Sequence, residues 1–336
     1  MKKIILWLVL IAVLASGLLA WTGWWYARQP LKVVRGSAEF TVKRGMTMHQ
    51  AAIVIWNSGV RADPRFLSTL ARLSGHATQI KAGSYQANTG ITPWELIIKL
   101  ETGDVARGSV LLVEGWTFRQ VRTALEKHPD LEQDTKNLSD AELLARIGVS
   151  QKKPEGLFFP DTYVFNKRDK ASSVFASAYH AMQKRLNSEW EGRARDLPLK
   201  SPYDALILAS IVEKETGRNE DRTRIANVLI NRLRVGMRLQ TDPSVIYGMG
   251  EKYNGNLLRR DLETDTPWNT YTRAGLPPTP ISIPGLPSLR AVMHPEGGDM
   301  LYFVARGDGS SVFSRTLNEH NRAVARYQRN KGTTKN

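Results

Sequence analysis

The hydrophobic positions of the chain recur at helical spacing in some segments and form short strand-like runs in others, which predicts an α+β protein. The first part of the chain is predicted to be a small α/β module. Its elements are a strand and turn at residues 40–47, a helix at 48–58, a returning strand at 82–85, and a helix that begins at the capping pair Thr92 and Glu95 and ends before Gly103.

The second part of the chain is richer in helices and is predicted to be a larger mixed domain. Its predicted elements are helices at residues 171–191, 201–216 and 222–235, a hairpin of strands at 301–305 and 311–313, and a last helix from residue 318 to about 329. Long segments between these elements, at 237–248, 268–271 and 275–285, are predicted to be loops.

The helix at 201–216 carries an acid on its apolar side. Ser201 is a predicted N-cap, and Gly217 is the predicted stop. At about 100° per residue, Glu215 falls on the face of Leu208 and Val212. This makes Glu215 the most informative residue of the chain.

Burial and the helix C-terminus both disfavour ionisation of Glu215, so its pKa is expected to be raised. A protonated carboxyl can act as a general acid toward a poor leaving group such as a glycosidic oxygen. The alternative from periodicity alone is a glutamate paired with Arg or Lys at the end of a helix. Glu213 points about 160° away on the helical wheel and is predicted to be a solvated surface charge.

The N-terminus contains a long apolar run. Residues 4–26 include no charged side chain, and Trp21, Trp24, Trp25 and Tyr26 gather at the far end as an aromatic belt does. An uncleaved single-pass anchor is favoured, with the N-terminus in the cytoplasm and the chain from about residue 30 outside the membrane. The alternative is a signal peptide cleaved near Ala15.

Composition limits the chemistry further. The chain has no cysteine and a formal net charge of +15. Thiolate metal sites and cysteine nucleophiles are therefore excluded, and no histidine spacing indicates zinc. The positive charge fits nucleic acid or an anionic membrane or wall surface, but the basic residues are dispersed and no nucleic-acid-binding motif is present.

The predicted loops are rich in amides, hydroxyls and aromatic rings. Planar amides and hydroxyls satisfy the hydroxyl groups of a sugar, and Tyr and Trp cover its apolar face. The loops of the second domain are therefore candidates for a sugar site. For any single residue, such as Asn269 or Asp242, turn capping is an equal alternative.

Several of these segments together resemble one known family. The motifs are Leu208-Ala-Ser-Ile-Val-Glu-Lys-Glu215, Asn231-Arg-Leu233, Met237-Arg-Leu-Gln240-Thr-Asp242-Pro, Tyr247-Gly, Asn269-Thr-Tyr271, Gly275-Leu-Pro-Pro278, and upstream Glu155-Gly with Phe159-Pro-Asp-Thr-Tyr163. They are similar to those of the endolytic murein transglycosylases of the MltG (YceG-like) group.

The resemblance implies a lyase without a cofactor or metal. It implies cleavage of the β-1,4 bond between N-acetylmuramic acid and N-acetylglucosamine inside peptidoglycan strands, with a 1,6-anhydro end as product and Glu215 as the catalytic residue. Expected substrate contacts are Asn231, Gln240, Thr241, Tyr247, Asn269 and Tyr271. Asn231 is alternatively a structural amide.

The resemblance also implies a domain plan and partners. The expected parts are residues 1–27 as cytoplasmic tip and anchor, 28–108 as a LysM-like subdomain, 109–330 as a YceG-like catalytic domain and 331–336 as a polar tail. Peptidoglycan, the inner membrane and peptidoglycan synthases are the expected partners, and the catalytic domain is expected in the periplasm. Two alternatives are a non-catalytic peptidoglycan-binding scaffold and a hydrolytic muramidase, which needs a second carboxylate about 5–9.5 Å away. Asp242 and Asp161 are the candidates for that carboxylate.

Overall fold

The computed structural model describes residues 2–328, so the predicted polar tail 331–336 lies outside the described residues. Contacts divide the chain into two compact units. Of the described residues, the first unit contains 2–108 and 164–169, and the second contains 109–163 and 170–328.

The first unit begins with a long helix and continues as an α/β module. Its elements are α1 (Lys2–Ala27), β1 (Ser37–Val42), α2 (Met48–Asn57), α3 (Pro64–Leu73), β2 (Gly83–Asn88) and α4 (Pro93–Thr102). The strands β1 and β2 pair antiparallel, with Phe40 opposite Tyr85. The capping box of Thr92 and Glu95 is present, and Gly103 ends α4 with φ +73°, as predicted.

The core of the first unit lies between the β1–β2 ribbon and the three short helices. It is built from aliphatic side chains and two stacked aromatic rings: Phe40, Tyr85, Ile55, Leu67, Leu96, Ile97 and Leu100. Each of α2 and α4 buries one face in this core, with Met48, Ala51 and Ile55 buried in α2 and Leu96 and Leu100 buried in α4.

Helix α1 carries no charged residue from Ile4 to Ala27 and is exposed along most of its length. Its segment Ile4–Ala27 has 24 residues and a mean hydropathy of 2.6, and it is long and apolar enough to cross a bilayer. Ala27, at its end, is buried, and the ring of Tyr26 lies edge-on to Phe66 with centroids 4.5 Å apart.

Two strands, β3 (Arg107–Leu111) and β4 (Thr162–Asn166), pair with each other. Residues 164–169 fall within the range 109–330 expected for the catalytic domain, but their contacts group them with the first unit. The backbone N–H of Lys167 donates to the carbonyl of Ala106 at 2.8 Å, and its ammonium group binds Glu39, so the segment belongs to the first unit.

The second unit is mainly helical. Its elements are α5 (Phe118–Glu126), α6 (Asp140–Arg146), α7 (Ala171–Glu191), α8 (Pro202–Glu215), α9 (Asn219–Arg234), α10 (Asp242–Met249), α11 (Arg259–Glu263), α12 (Leu286–Met293), β5 (Tyr302–Ala305), β6 (Ser311–Ser314) and α13 (Leu317–Tyr327). The predicted helices α7, α8 and α9 and the β5–β6 hairpin are confirmed, whereas α10, α11 and α12 occupy segments predicted to be loops or left without an element.

Helix α8 lies at the centre of the second unit. Eight consecutive residues from Ala205 to Val212 are buried, because α7, α9, α10 and α12 all pack against it. Ser201 caps α8 by accepting the backbone N–H of Asp204 at 3.2 Å. A helix buried on all sides fixes the position of its last residue, Glu215.

Candidate active site

A cavity of about 510 Å³ opens in the second unit beside the end of α8. The C-terminal end of α8, the segment before α10, the β5–β6 hairpin and α13 all contribute to its walls. The polar and aromatic side chains that line it are Glu215, Arg232, Gln240, Asp242, Tyr271, Tyr302, Phe303, Ser311, His320 and Gln328.

Glu215 is the last residue of α8 and lines this cavity. Part of the residue stays open to the cavity, but protein atoms surround most of the carboxyl. This burial, together with the negative charge of Asp242, raises the pKa of Glu215 to about 8, against a smaller lowering by Arg232. The carboxyl is therefore protonated at neutral pH, as a general acid must be.

Glu213 lies on another side of α8, as the helical spacing predicted, but it is not a solvated surface charge. Its side chain is only 7% exposed. Its carboxylate accepts the backbone N–H of Gly285 at 2.9 Å and the hydroxyl of Ser288 at 2.7 Å, and so caps α12. The prediction was wrong because α12, which lies more than 70 residues further along the chain, covers this face of α8.

Arg222 completes this buried network. Its Nη2 lies 3.6 Å from Glu213 Oε1, and the same guanidinium donates to the side chain of Asn219 at 2.7 Å and to the carbonyl of Thr216 at 3.4 Å. Thr216 directly follows Glu215. The Glu213–Arg222 pair therefore holds the end of the helix that presents the cavity acid.

Asp242 is the first residue of α10 and lines the same cavity as Glu215. The hydroxyl of Tyr271 donates a hydrogen bond to Asp242 Oδ1 at 2.6 Å. Burial and the bond to Asp242 raise the pKa of Tyr271, so the phenol stays protonated and serves as a donor. Asp161, the other candidate for a second carboxylate, is exposed and lies 3.6 Å from Arg185, outside the cavity lining.

Gln240 lines the cavity in an unusual backbone conformation. Its φ is +50°, in the left-handed region that residues with a side chain rarely adopt. Its backbone N–H donates to the carbonyl of Thr270 at 3.1 Å, which holds this turn in place. The strain is therefore located at the cavity.

Three of the expected substrate contacts are buried and engaged inside the protein. Asn231 donates to the carbonyls of Gly298 and Met300 at 2.9 and 3.0 Å. Thr241 is hydrogen-bonded to Thr270. These side chains do not line the Glu215 cavity. They hold in place the segments that form its walls.

Asn269 is the third of these residues and is fully buried. Its amide nitrogen donates to the carbonyls of Thr264 at 2.7 Å and Leu262 at 3.0 Å. Its amide oxygen accepts the backbone N–H of Tyr271 at 2.8 Å. Asn269 therefore sets the course of the loop that carries Tyr271 into the cavity.

Tyr247 faces a different carboxyl. Its hydroxyl donates to Glu155 Oε2 at 3.0 Å, while Oε1 of the same carboxyl accepts the backbone N–H of Phe118 at 2.8 Å. Burial raises the pKa of Glu155 to about 7, although both hydrogen bonds act in the opposite direction. Of the six expected contacts, the structure thus brings Gln240 and Tyr271 to Glu215.

Three cavity residues were missed by the sequence analysis as contacts. The guanidinium of Arg232 lies 5.4 Å from the centre of the Tyr302 ring, and that ring stacks on His320 with centroids 5.2 Å apart. Arg232 was within the motif quoted above, next to Asn231. Tyr302 and His320 come from the hairpin and α13, and no local pattern indicates that these elements reach α8.

The arrangement is a single partly buried acid, protonated at neutral pH, in a polar cavity with aromatic walls. Such a site is suited to proton transfer to and from a polyhydroxylated substrate. It defines the site as that of an enzyme, in a mixed α/β unit, and not as a binding surface without catalytic groups.

Comparisons with known proteins agree on one family. A sequence model of the YceG-like family matches residues 40–326. The endolytic murein transglycosylase of Bacillus subtilis (strain 168) is 31% identical over 325 residues, covering 90% of this chain and 89% of that protein. The endolytic murein transglycosylase of Streptococcus pneumoniae (strain D39) is 26% identical, and the match covers 98% of this chain and 65% of that longer protein.

A solved structure is similar as well. The 2.6 Å crystal structure of a YceG-like protein from Listeria monocytogenes superposes with a TM-score of 0.52 at 28% identity, covering 86% of this chain and 99% of that chain. The chain belongs to the YceG-like family, and the resemblance read from its motifs is confirmed.

Proposed function

We propose that the chain is an endolytic peptidoglycan lytic transglycosylase, anchored in the inner membrane, with Glu215 as its single catalytic acid and base. The observation that carries the proposal is the raised pKa of Glu215, about 8, inside a cavity with polar and aromatic walls. The names of its relatives in Bacillus subtilis and Streptococcus pneumoniae support the same reaction.

The proposed reaction needs no water. The protonated Glu215 carboxyl donates its proton to the glycosidic oxygen, and the bond between that oxygen and C1 of N-acetylmuramic acid breaks. The 6-hydroxyl of the same sugar forms a new bond to C1 and gives its proton to the Glu215 carboxylate. The products are an N-acetylglucosamine end and a 1,6-anhydro end, and the enzyme returns to its starting protonation state.

The neighbouring side chains have supporting roles in this proposal. Burial and the charge of Asp242 together keep Glu215 protonated before the first step, and the negative charge of Asp242 stabilises the positive charge that develops at C1. Tyr271 orients Asp242 through its 2.6 Å hydrogen bond. Gln240 is proposed to contact the substrate, while Asn231, Thr241, Asn269 and Tyr247 position the walls.

A hydrolytic muramidase is the second candidate, because Asp242 shares the cavity with Glu215 and a second carboxylate is what hydrolysis needs. In that reaction Asp242 would activate water or attack C1. The two candidates differ in their products: the lyase leaves anhydro ends, and the hydrolase leaves reducing ends.

The test is a digest of purified murein sacculi analysed by mass spectrometry, with the wild type and Glu215→Gln side by side. Removal of the acid is expected to slow release of anhydro products by about 10²–10⁴-fold. Glu191→Gln, the same change at an exposed position near the end of α7, is the matched control and is expected to retain activity. Reducing ends without anhydro sugar would replace the lyase with the hydrolase. No products from either protein would leave only the scaffold, and full activity in Glu215→Gln would assign catalysis to another residue.

The first unit is proposed to be a LysM-like module that binds glycan. It carries a groove of about 540 Å³ between β2 and α4, where the ring of Trp94 lies beside the side chains of Gln86, Asn88 and Thr89. Trp94→Ala is expected to weaken retention of the protein on sacculi without changing the products.

The location is also a proposal. Helix α1 would cross the inner membrane once, with the N-terminus in the cytoplasm and the catalytic unit in the periplasm beside peptidoglycan synthases. Its length and hydropathy support this placement. A periplasm-active reporter fused at the C-terminus should be active, and an inactive one would reverse the topology.

A further inference from the structure

The first unit has an exposed apolar surface a short distance beyond the end of α1. Val34, Ile53 and Trp56 are 54%, 41% and 37% exposed. Isolated apolar side chains on a surface are ordinary, but a contiguous set flanked by cations is a feature of binding surfaces.

Backbone pairing brings together the chain segments that carry these side chains. The backbone N–H of Val34 donates to the carbonyl of Gly59 at 3.1 Å, and that of Arg61 donates to the carbonyl of Lys32 at 2.9 Å. Ile53 and Trp56 are one turn apart on α2, which runs into this pairing. The guanidinium of Arg61 lies 5.1 Å from the centre of the Trp56 ring.

The chain segments that carry these side chains are mostly basic. Between residues 28 and 61 the chain carries six basic side chains, namely Arg28, Lys32, Arg35, Lys43, Arg44 and Arg61, and one acidic side chain, Glu39. Glu39 is bound by Lys167. We call the group of Lys32, Val34, Ile53, Trp56 and Arg61 the basic-apolar surface.

This surface is held near the end of α1. Only four residues lie between Ala27 and Lys32, so five residue-to-residue steps of about 3.5 Å limit their distance to about 18 Å. Ala27 is buried and Tyr26 packs on Phe66 of α3, so the unit is attached directly to the helix end and does not hang on a long linker.

We propose that the basic-apolar surface binds the headgroup region of an anionic lipid bilayer, the same bilayer that α1 crosses. The inference rests on the proposed membrane anchor. Tryptophan beside arginine suits the interface between lipid tails and water, and each cation near an anionic surface adds attraction. The first unit is then attached to the membrane at two points, α1 and the basic-apolar surface.

The absence of cysteine allows a direct test on the full chain, since any introduced cysteine is a single labelling site. Separate variants Leu10→Cys in α1, Ile53→Cys on the surface and Thr102→Cys at the exposed end of α4 are labelled with an environment-sensitive fluorophore. Each is reconstituted in mixed phosphatidylcholine–phosphatidylglycerol vesicles containing a lipid with a spin-label quencher near the headgroup.

Quenching is expected at positions 10 and 53 and not at position 102. Arg61→Gln should lower the ratio of docked to undocked protein, measured at position 53, by about fivefold, because one cation is lost. Vesicles of phosphatidylcholine alone should lower this ratio by about fivefold for each cation that is left without an anionic partner. Trp56→Ser should also reduce quenching at position 53, while quenching at position 10 stays unchanged in every case.

The other outcomes separate the two proposals. If position 10 is quenched and position 53 is not, the anchor stands and the docking surface is overturned. If position 53 is quenched equally in all lipids and in all variants, or equally with position 102, these residues do not carry the binding and the inference fails. If position 10 is not quenched, the anchor fails and this inference fails with it.

Discussion

Asp242 and Glu215 line one cavity, and the negative charge of Asp242 adds to burial in raising the pKa of Glu215. The two acids come from different helices, α10 and α8, which pack against each other. The acid strength of Glu215 is therefore set by a contact between helices, not by its own helix alone.

Removing that charge should lower the pKa of Glu215. The activity of the wild type is expected to fall as pH rises through about 8, because the acid loses its proton there. In Asp242→Asn this alkaline limb should move to lower pH by about one pH unit. The measurement is kcat/KM for sacculus digestion against pH. A large loss of activity, with the alkaline limb of the residual activity unmoved, would instead indicate that Asp242 itself attacks C1 or activates water.

Glu215 should also make the folded state less stable in alkali. Below pH 4.5 the carboxyl is protonated in both states; above it the unfolded chain loses its proton first, and the folded state loses stability until the pH reaches about 8. The slope contributed is at most about 1.4 kcal/mol per pH unit.

Urea unfolding of the wild type and Glu215→Gln between these pH values isolates this effect. As pH rises, the free energy of unfolding of the wild type should fall relative to that of Glu215→Gln. Glu155, whose pKa is raised to about 7, contributes with the same sign to both proteins and cancels. A difference that does not change with pH would show that Glu215 ionises normally.

The buried pair of Glu213 and Arg222 is expected to matter for folding and for the position of Glu215. Glu213→Ala removes the carboxylate that pairs with the buried Arg222 and removes the cap of α12, so the free energy of unfolding should fall by about 3–5 kcal/mol. The double variant Glu213→Ala, Arg222→Ala should lose less than the sum of the single changes. An additive result would contradict the pairing.

Asn269 provides a test of structural against substrate-binding roles. Asn269→Ala removes the hydrogen bonds of a fully buried amide and leaves the carbonyls of Leu262 and Thr264 without this donor, at a cost of about 1–3 kcal/mol. Its effect on activity should parallel the loss of folded protein, measured by circular dichroism. A rise in KM with unchanged stability would return Asn269 to the substrate contacts.

Much of the fold could be predicted, because it follows from local signals. Helix caps such as Ser201 and Thr92, and the apolar spacing of α7 to α9, lie within a few residues of the elements they specify. The separation of Glu213 from Glu215 also followed from the helical period alone. The family resemblance then identified Glu215 by its place in a motif.

The remaining features depend on contacts between distant segments. Glu213 is covered by α12, and the wall formed by Tyr302 and His320 is brought to Arg232 by the hairpin and α13. Polar residues of the motifs look alike in sequence whether they contact a substrate, as proposed for Gln240, or hold a loop, as Asn269 does. Only the burial and partners of each amide distinguish the two roles.

The left-handed backbone of Gln240 connects function with the durability of the protein. A residue with a side chain in that conformation costs about 1–2 kcal/mol relative to glycine. Selection for heat tolerance alone should therefore favour glycine at position 240, and selection for activity should favour glutamine. A library screened separately for the two properties would show the trade-off between thermostability and turnover at this one position.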